Sequence, residues 1–340
     1  MSLFEKIIQE RQMMNDSIRS FFNSRGYLEV ETPILVQSPG MEPNLSPFET
    51  IVREPNGTEH RAALITSPEY SMKKLLGHGL EKIFTITKVF RNDETFGDNH
   101  NPEFSMLEWY QQGADYQVCM EETEELIRSL MCVIPSVVSV SERNRGISRF
   151  ASLTRDDTWK RVRVRDLFLE HTGIDLDNTD RETLFNACDR HGIHTTSNDT
   201  ESDLFYRLFL TKIEPTLSGN IFVYDYPKYQ ASLSRLTSDG KYGERFELYM
   251  NGLELCNGFT ELTDANEQRK RFEEEAQERK QAGKTVHPID EELLSLLPSV
   301  RTPTFGNALG IDRLHMILTS QTKIEDVILF PASELFKNNK

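Results

Sequence analysis

An acidic segment near residue 250 contains two glutamates at a spacing that suits metal binding. Asn251 and Gly252 are a strong two-residue signal for a β-hairpin, because both positions of such a turn favour positive φ angles. A hairpin closed there places Glu247 opposite Cys256 and makes Glu247 and Glu254 diagonal neighbours on one face, roughly 7–8 Å apart. Carboxylates so close repel each other unless a cation lies between them. The pattern predicts a Mg²⁺ site that bridges oxygens of ATP, with two solvent-facing glutamates as the alternative.

The strand that follows this hairpin contains Asn257 and Glu261, whose orientation the sequence leaves open. Strict alternation points both side chains away from the face that carries Glu254. Gly258 is a candidate for a β-bulge, which would turn them back toward that face. The sequence is compatible with both arrangements.

A second pair of predicted strands brings together a cation, an aromatic ring and a carboxylate. Phe104, Glu108 and Tyr110 alternate onto one face of the second strand, and Arg91 ends the first strand at the start of a polar loop. An arginine fork suits a carboxylate or phosphate, an aromatic face suits a base, and a glutamate suits an amine. The segment predicts a site for a nucleotide and an amine, with an ordinary ion pair between Arg91 and Glu103 or Glu108 as the alternative.

A third candidate is the short motif Gly-Ile-Asp-Arg at residues 310–313, where a predicted helix begins. The free N–H groups of a helix start and the guanidinium of Arg313 can together hold an anion. A motif of only four residues occurs often by chance. It therefore supports a nucleotide site only in combination with the strand pairs.

The spacing of apolar residues predicts the helices and strands that position these side chains. Helices are predicted at 3–25, 164–171, 181–191, 201–213, 266–282 and 310–320. Strands are predicted at 27–33, on both sides of the loop 92–101, and at 220–226, 245–262 and 327–330. A glycine-containing turn is predicted between Thr304 and the helix at 310–320.

The domain organisation follows from chain length and from one break in this pattern. A chain of 340 residues exceeds the common single-domain size, but one large mixed sheet with an insertion can accommodate it. Residues 133–160 lose periodicity and gain Ser, Arg and Asn, which predicts a flexible insertion. We therefore expect one domain over 1–340, with an insertion or helical subdomain at 133–215.

Composition excludes several classes of protein. Hydrophobic residues make up 37% of the chain and charged residues 27%, as in soluble globular enzymes. No apolar stretch approaches the roughly 18 residues of a membrane span, and charges interrupt the N-terminal segment, so we expect a cytoplasmic protein without a membrane partner. The four cysteines lack metal-site spacing, and a net charge of −15 disfavours a broad surface for a nucleic acid such as tRNA.

Taken in order, these segments resemble the three sequence motifs of class II aminoacyl-tRNA synthetases, and the lysyl branch in particular. The first motif resembles residues 21–33, the second residues 89–110 and the third residues 308–313. Residues 66–70, 245–247 and 257–262, together with Glu254, are also similar to lysyl-tRNA synthetases. The resemblance covers almost the whole chain. It implies an α+β fold with an antiparallel sheet flanked by helices, and the use of ATP and Mg²⁺ to form an aminoacyl adenylate.

The resemblance also implies roles for individual residues. Arg91 would hold the α-phosphate and the amino-acid carboxylate, and Arg91 and Arg313 would be the catalytic residues. His100 and Arg313 would bind the distal phosphates, and Phe104 with Arg313 would enclose adenine. The implied ATP-binding residues are Arg91, Asp93, His100, Asn101, Phe104, Glu247 and Arg313. The implied amino-acid-binding residues are Glu69, Glu108, Tyr110, Asn257, Phe259, Glu261 and Ala308. The implied Mg²⁺ ligands are Glu247 and Glu254.

Two features separate the chain from lysyl-tRNA synthetases. The first motif begins almost at Met1, which we expect to leave no room for an anticodon-binding domain, and Ala308 adds a methyl group where those enzymes carry glycine. Both features resemble the elongation factor P lysyltransferase family, whose members attach lysine, preferring (R)-β-lysine, to a lysine of that translation factor. The second motif departs from the family pattern. Its loop is one residue longer, Asp93 replaces a glutamate, and Asp98 and Asn99 stand where an arginine is usual, which affects the contacts expected with the distal phosphates.

The resemblance implies partners as well as chemistry. The amino acid would be lysine or β-lysine, and the acceptor would be elongation factor P, with tRNA disfavoured. A homodimer would form through the strand that ends at Pro33 and through the first-motif helix, whose apolar stripe contains Phe4, Ile7, Met14 and Ile18. The alternatives are an enzyme that charges tRNA, an asparagine-synthetase-like paralogue and a non-catalytic regulator. The acidic pocket disfavours asparagine chemistry, and the presence of both arginines and both metal glutamates disfavours the regulator.

Overall fold

The computed structural model of the protein describes residues 2–133, 158–231 and 233–337. Within these residues the strands are β1 (Leu28–Glu29), β2 (Leu35–Val36), β3 (Glu49–Arg53), β4 (Glu59–Leu64), β5 (Lys82–Phe90), β6 (Glu103–Gln112), β7 (Trp159–Arg163), β8 (Asn220–Pro227), β9 (Tyr242–Met250), β10 (Leu253–Thr260) and β11 (Thr304–Gly310). The helices there are α1 (Leu3–Ser24), α2 (Glu69–Gly77), α3 (Tyr116–Val133), α4 (Val164–Thr172), α5 (Arg181–Arg190), α6 (Glu201–Leu208), α7 (Ala265–Gln281), α8 (Glu291–Leu296), α9 (Ile311–Thr319) and α10 (Ala332–Leu335). In this part of the chain, no helix is long and apolar enough to cross a membrane.

A large sheet joins most of the described strands in the order β1-β5-β6-β11-β10-β9-β8-β7. At the centre of this order, each strand in the series β5-β6-β11-β10-β9-β8 is antiparallel to its neighbours. At the two edges, β1 is parallel to β5 and β7 is parallel to β8. The predicted antiparallel sheet flanked by helices is thus confirmed at its centre, and the two edge strands make the whole sheet mixed. Of the strand predicted at 27–33, only Leu28–Glu29 pairs with β5. A smaller sheet has the order β2-β4-β3.

Helix α1 packs along the large sheet with its apolar face inward. Met14 and Ile18 are fully buried in a cluster that also contains Trp109 of β6. Ile7 is buried as well. Of the four apolar residues predicted to form a dimer interface, Phe4 is the one that is exposed. The stripe therefore contributes mostly to the chain's own core, because the apolar face of an amphipathic helix is covered first by the sheet beside it.

Short helices α4, α5 and α6 form a second core against strand β8. Phe168 of α4 stacks on Phe205 of α6 with 4.6 Å between ring centroids, and both rings are buried together with Tyr226 of β8. The helices predicted in this region are confirmed at nearly their predicted bounds, and residues 209–213 continue α6 as a π-helical turn.

The segment predicted as a flexible insertion, residues 133–160, ends in a strand instead. Trp159 begins β7, which forms an edge of the large sheet beside β8. Charged residues are common on edge strands, and here they obscure the apolar alternation. Residues 134–157 lie outside the described residues. The treatment of 133–215 as an inserted unit stays a prediction.

Strand β11 lies in the middle of the sheet, where the sequence predicted a turn. Gly306 and Gly310 suggested that turn, but neither has a positive φ, and the strand pairs with β6 on one side and β10 on the other. Glycine within a strand often marks a close approach of another group instead. The strand predicted at 327–330 is also wrong, because these residues lie in a turn region that follows a 3₁₀ helix at Ile324–Asp326.

Candidate active site

A cavity of about 1410 Å³ opens over the centre of the large sheet. One row of paired residues crosses four strands at this place: Glu108 pairs with Ala308, Ala308 with Asn257, and Asn257 with Glu247. Residues that pair directly across strands lie on the same face. The sheet therefore aligns four predicted site residues that come from separate segments of the sequence.

The cavity brings together most of the predicted site residues. Those that line it are Glu69, Arg91, His100, Asn101, Phe104, Tyr110, Glu247, Glu254, Asn257, Phe259, Ala308 and Arg313. Glu108 and Glu261 lie just below its surface and are buried. Asp93 does not line the cavity, since it is an exposed residue with a positive φ on the loop after β5. The next residue, Glu94, lines it instead.

The hairpin between β9 and β10 has the predicted turn but a different register. Both residues of the turn have positive φ angles, 52° and 80°, which confirms this prediction. The register shifts after Glu254, so that Glu247 pairs with Asn257 rather than with Cys256. The predicted pairing is wrong by one position because a bulge adds an unpaired residue to β10.

The bulge residue is Leu255, and its position decides which side chains face the cavity. Side chains alternate along a strand, so one extra residue moves every later side chain to the other face. Asn257 and Glu261 thereby turn toward the cavity, which answers the question that the sequence left open. Gly258 is not the bulge residue: it pairs regularly with Phe246, whose ring would lie 2.7 Å from a Cβ atom at position 258.

Arg91, His100, Phe104 and Arg313 form one end of the cavity, which we call the cationic end. The Arg91 guanidinium lies 5.2 Å from the Phe104 ring centroid, and its Nε is buried without a hydrogen-bond partner in the described part of the chain. Arg313 Nη2 lies 3.0 Å from His100 Nε2, and Arg313 Nη1 donates to the Glu254 carbonyl oxygen at 2.9 Å. Burial, and then the charge of Arg313, lowers the pKa of His100, so a neutral imidazole can accept from Arg313. A phosphate oxygen could accept a hydrogen bond from the buried Nε of Arg91.

The side chain of Asn101, a predicted ATP-binding residue, holds the loop between β5 and β6 in place. Its Nδ2 donates to the Glu103 carbonyl oxygen at 2.6 Å, and its Oδ1 accepts from the Ala332 backbone N–H at 2.9 Å. These bonds connect the loop that carries His100 to helix α10. We therefore expect Asn101 to affect ATP binding through the position of this loop.

The two predicted metal ligands differ in how many oxygens they leave available. Glu247 Oε1 accepts from Arg245 at 2.7 Å, and its Oε2 accepts from the hydroxyls of Tyr226 and Tyr249 at 2.6 and 2.7 Å. The side chain of Glu254 is 38% exposed and faces the cavity more openly. Among the described residues, no group of three or more side chains could hold a metal ion by itself. The two carboxylates fit Mg²⁺ when substrate phosphates and water supply the other oxygens, which is its common mode of binding.

The other end of the cavity has a floor of buried charges, which we call the acidic floor: Glu69, Lys73, Glu108 and Glu261. Glu108 Oε1 accepts from the Ser67 hydroxyl at 2.5 Å, and its Oε2 accepts from the Tyr110 hydroxyl at 3.0 Å. Burial, and then the charge of Glu69, raises the pKa of Glu108 to about 8. A nearby cation would return this carboxyl to its ionised form.

Lys73 is a site residue that the sequence analysis missed. It follows Glu69 by one turn of α2, and its Nζ lies 2.6 Å from Glu69 Oε1 and 2.6 Å from Glu261 Oε2. Burial raises the pKa of Glu261 to about 8, and the Lys73 ammonium opposes this effect. The spacing of four residues between Glu69 and Lys73 is a signal, but exposed ion pairs on helices show the same spacing.

Small residues of β11 make room for the acidic floor. A Cβ atom on Gly306 would overlap with Glu261 Oε1 and with the Tyr110 ring. Ala308, two residues later on the same face, lines the cavity opposite Glu108. A larger side chain at either position would occupy space that the pocket uses.

The fold and the cavity together define the class of this protein. A sheet with an antiparallel centre carries a cationic end and an acidic floor on one face, as the resemblance to class II synthetases implied. The family model described as "tRNA synthetases class II (D, K and N)" matches residues 2–334. The chain belongs to this family.

Curated relatives narrow the comparison further. The chain is 37% identical to the "Elongation factor P–(R)-beta-lysine ligase" of Pectobacterium atrosepticum, over 92% of this chain and 91% of that protein. Proteins of the same name from Haemophilus influenzae and Yersinia enterocolitica are 38% and 37% identical, over 92% and 95% of this chain and 91% and 94% of theirs. The predicted resemblance to elongation factor P lysyltransferases is confirmed.

Proposed function

We propose that this protein is an ATP-dependent ligase that activates lysine or (R)-β-lysine as the adenylate and transfers it to a lysine of elongation factor P. The observation that carries the proposal is one cavity that joins a cationic end to a buried acidic floor. Cations suit the phosphates and the amino-acid carboxylate, and buried carboxylates suit the amines. The names of the similar proteins support the same amino acid and the same acceptor.

The cationic end would perform the activation step. The amino-acid carboxylate attacks the α-phosphorus of ATP in line and displaces pyrophosphate, without a covalent enzyme intermediate. Arg91, whose guanidinium is already desolvated, holds the α-phosphate and the attacking carboxylate. Arg313 and His100 bind the distal phosphates, and Phe104 with Arg313 encloses adenine. The chain thus contributes positioning and neutralisation of charge.

Glu247 and Glu254 would hold Mg²⁺ at the same end. The oxygens that would bind it are Oε1 of Glu247, to which Arg245 donates, and those of the partly exposed Glu254 carboxylate, whose Oε2 also lies 3.5 Å from Arg313 Nη1. When bound, the ion would neutralise charge on the phosphate oxygens. Hydrogen bonds from Arg245, Tyr226 and Tyr249 keep the Glu247 carboxylate in one orientation for this purpose.

The acidic floor would bind the amines of the substrate. Lys73 lies closest to Oε1 of Glu69 and Oε2 of Glu261, and the second oxygen of each carboxylate would face a substrate ammonium. Glu108 lies beside them, and its carboxyl would ionise when an ammonium group arrives. Asn257, Phe259 and Ala308 line the space between the floor and the cationic end, where the aliphatic chain of a lysine isomer would lie.

The charge of the chain favours a protein acceptor over tRNA, because a net charge of −15 disfavours a polyphosphate partner. Helix α7 adds the exposed carboxylates of Glu274 and Glu278 to the lining of the cavity, beside Lys270 and Arg271. Such carboxylates repel the phosphates of a tRNA end and attract a protein lysine. The amine of that lysine attacks the carbonyl carbon of the adenylate, an amide bond forms, and AMP leaves.

Two assays in sequence test the proposal. ATP–pyrophosphate exchange with lysine, both β-lysine enantiomers, ornithine and asparagine identifies the amino acid. Elongation factor P and tRNA are then offered under identical ATP and Mg²⁺, with mass spectrometry of the factor and an acylation assay of the tRNA. We expect exchange with a lysine isomer, a gain of one lysyl unit on the factor, and tRNA left essentially uncharged. Efficient charging of tRNA beside an unmodified factor would replace the proposal with a lysyl-tRNA-synthetase-like enzyme, and no exchange with any amino acid would favour a regulator.

We also propose a homodimer that forms near the start of α1. Leu3, Phe4 and Ile8 are 68%, 52% and 49% exposed, and Phe4 and Ile8 share one face of the helix. Exposed apolar clusters often mark protein interfaces. Light scattering at micromolar concentration should give twice the chain mass, and the double variant Phe4→Ser, Ile8→Ser should shift the mass toward that of one chain. A monomeric parent protein would contradict the proposal.

Cytoplasmic location and a single-domain organisation stay predictions. Cell fractionation tests the first and limited proteolysis tests the second.

A further inference from the structure

A lysine side chain lies inside the pocket that the proposed function assigns to a lysine-like substrate. The Nζ of Lys73 contacts Glu69 and Glu261 at 2.6 Å each and lies 5.4 Å from the ring centroid of Phe259. The side chains of Lys73 and Glu261 are 3% and 2% exposed. Water therefore screens these charges little, and each depends on the other for compensation.

We propose that Lys73 is a positioning residue that restricts the pocket to amino acids with two ammonium groups. The inference rests on the proposed function, because it concerns the amino-acid site of that reaction.

The acidic floor has a net charge that depends on Lys73. Glu69, Glu108 and Glu261 carry three negative charges when ionised, and Lys73 cancels one of them. Buried charge without compensation is costly, so the occupied site is most stable when it is neutral. Two ammonium groups neutralise the floor with all three carboxylates ionised, whereas an amino acid with one ammonium neutralises it only while Glu108 or Glu261 keeps a proton. The substrate carboxylate does not enter this sum, because it would meet Arg91 at the other end.

The geometry of the Lys73 contacts supports the same conclusion. Lys73 Nζ lies closest to Oε1 of Glu69 and to Oε2 of Glu261. Both oxygens of Glu261 are buried, and neither accepts a hydrogen bond from the described part of the chain. Oε1 of Glu261, the oxygen farther from Lys73, is therefore available to a substrate ammonium. Oε2 of Glu69 is the corresponding oxygen on the side of α2, and Glu69 lines the cavity. The pocket thus presents two separate oxygens, one for each ammonium group.

Several titratable groups face this pair of carboxylates from the surrounding elements. They are Glu42 on the loop before β3, Glu108 and Tyr110 on β6, and Glu275 on α7. Burial raises the pKa of Glu108 and of Glu261 to about 8, and the ammonium of Lys73 limits the rise for Glu261. Without that ammonium, the pKa of Glu261 would rise further. A diammonium substrate would then have to displace an additional proton.

The test is the pH dependence of substrate binding in Lys73→Met, which keeps the length of the side chain and removes its charge. KM for the preferred lysine isomer is measured by ATP–pyrophosphate exchange from pH 6.5 to 9, and proton release on binding is measured by calorimetry in two buffers. For the parent enzyme, KM should fall toward pH 8 and then level. For Lys73→Met, KM at pH 7 should rise about tenfold or more, level only at higher pH, and be accompanied by greater proton release. KM for ATP should stay within about twofold.

A double variant keeps the test decisive if Lys73→Met does not fold. Glu261→Gln alone leaves one net negative charge on the floor, and adding Lys73→Met restores two. Because two negative charges match two ammonium groups, we expect Lys73→Met to improve binding of the lysine isomer in the Glu261→Gln background. Lys74→Met is the matched control, because Lys74 pairs with Asp290 and Glu292 away from the floor, and it should leave KM and its pH profile unchanged.

Two outcomes would overturn the inference. One is a lower melting temperature in Lys73→Met with an unchanged pH profile of KM, which would make Lys73 a structural residue. The other is weaker binding in the double variant than in Glu261→Gln. Absence of exchange with every lysine isomer in the parent enzyme would instead defeat the proposed function, so the two failures are distinguishable.

Discussion

The two ends of the cavity hold their charges in opposite ways. At the cationic end, the buried Nε of Arg91 has no hydrogen-bond partner among the described residues. Arg313 donates to the Glu254 backbone carbonyl, contacts His100 and lies 3.5 Å from the Glu254 carboxylate. At the acidic floor, Glu69 and Glu261 are already paired with Lys73 inside the chain. The first end is incomplete until a ligand arrives, whereas the second is a nearly complete network.

The difference matches the two ligands that we propose. ATP brings many oxygens and a high charge, so the buried Nε of Arg91 and the partly exposed guanidinium of Arg313 can bind it while the metal and water adapt around it. A lysine isomer brings few polar atoms on a flexible chain, so its recognition needs fixed and desolvated partners. The side chains of Arg313 and Glu254 are accordingly 22% and 38% exposed, against 3% and 2% for Lys73 and Glu261. Substitutions at the cationic end should therefore mainly affect the rate of pyrophosphate exchange, and substitutions at the acidic floor should mainly affect KM for the lysine isomer.

The largest effect is expected from Arg91→Ala at the cationic end. The guanidinium is buried and aimed at ligand atoms, so its loss should lower kcat/KM in pyrophosphate exchange by about 10³-fold. Binding of the lysine isomer alone, followed by fluorescence titration, should weaken by much less than this, because Arg91 would contact only the substrate carboxylate and the floor remains intact. Arg61→Ala, at an exposed position of β4 outside the cavity, is the control. Near-parental exchange in Arg91→Ala would contradict the assignment.

A somewhat smaller effect is expected from Glu254→Gln, which keeps the shape of the proposed metal ligand and removes its charge. Exchange should fall by about 10²-fold, and the Mg²⁺ concentration for half-maximal activity should increase. Glu273→Gln, on the outer side of α7, should change neither quantity. A Mg²⁺ dependence that stays the same in Glu254→Gln would remove this residue from the metal site.

At the acidic floor, Gly306→Ala should weaken amino-acid binding by crowding Glu261 and Tyr110. Overpacking of this kind costs about 1–3 kcal/mol, equivalent to roughly 5–150-fold in KM for the lysine isomer, while KM for ATP stays near its parental value. Gly258→Ala is the matched control, because its methyl group would crowd Phe246 on the opposite face of the sheet. Equal increases in both variants would show a general loss of packing rather than a pocket effect.

A milder change is expected from Ala308→Gly, which removes one methyl group from the same strand. The position lines the cavity opposite Glu108 and Asn257, so the larger pocket should raise the use of α-lysine relative to β-lysine by about tenfold. The ratio of kcat/KM for the two isomers measures this preference. An unchanged ratio would mean that the isomer preference is set elsewhere in the pocket.

The smallest effect concerns stability and pH. The pKa values of Glu108 and Glu261 are raised to about 8 in the folded protein from an ordinary value of 4.5, so the unfolded chain ionises these groups first and stability falls as pH rises from about 5 to 8. A bound diammonium substrate favours the ionised carboxylates and removes this loss. The increase in melting temperature caused by the lysine isomer should therefore grow by a few degrees between pH 6 and pH 8. Glu108→Gln should reduce that growth, and a ligand effect independent of pH in the parent would contradict the raised pKa values.

Local features of the chain were predictable from the sequence because they depend on neighbouring residues. The turn at residues 251–252 follows from the φ preferences of Asn and Gly, and the helices α4 to α6 follow from apolar spacing. The alternation that places Phe104, Glu108 and Tyr110 on one face has the same local origin. The motif resemblance then gave the family and twelve of the residues that line the cavity.

The tertiary structure decided the features that depend on residues far apart in the chain. The bulge at Leu255 results from pairing with β9, and strand β11 forms because β6 and β10 offer it partners on both sides. Lys73 has the local pattern of an exposed helix residue, and only the approach of Glu261 from β10 makes a buried lysine stable. Periodicity and turn chemistry are properties of a segment, whereas register, burial and charge compensation arise only when distant segments meet.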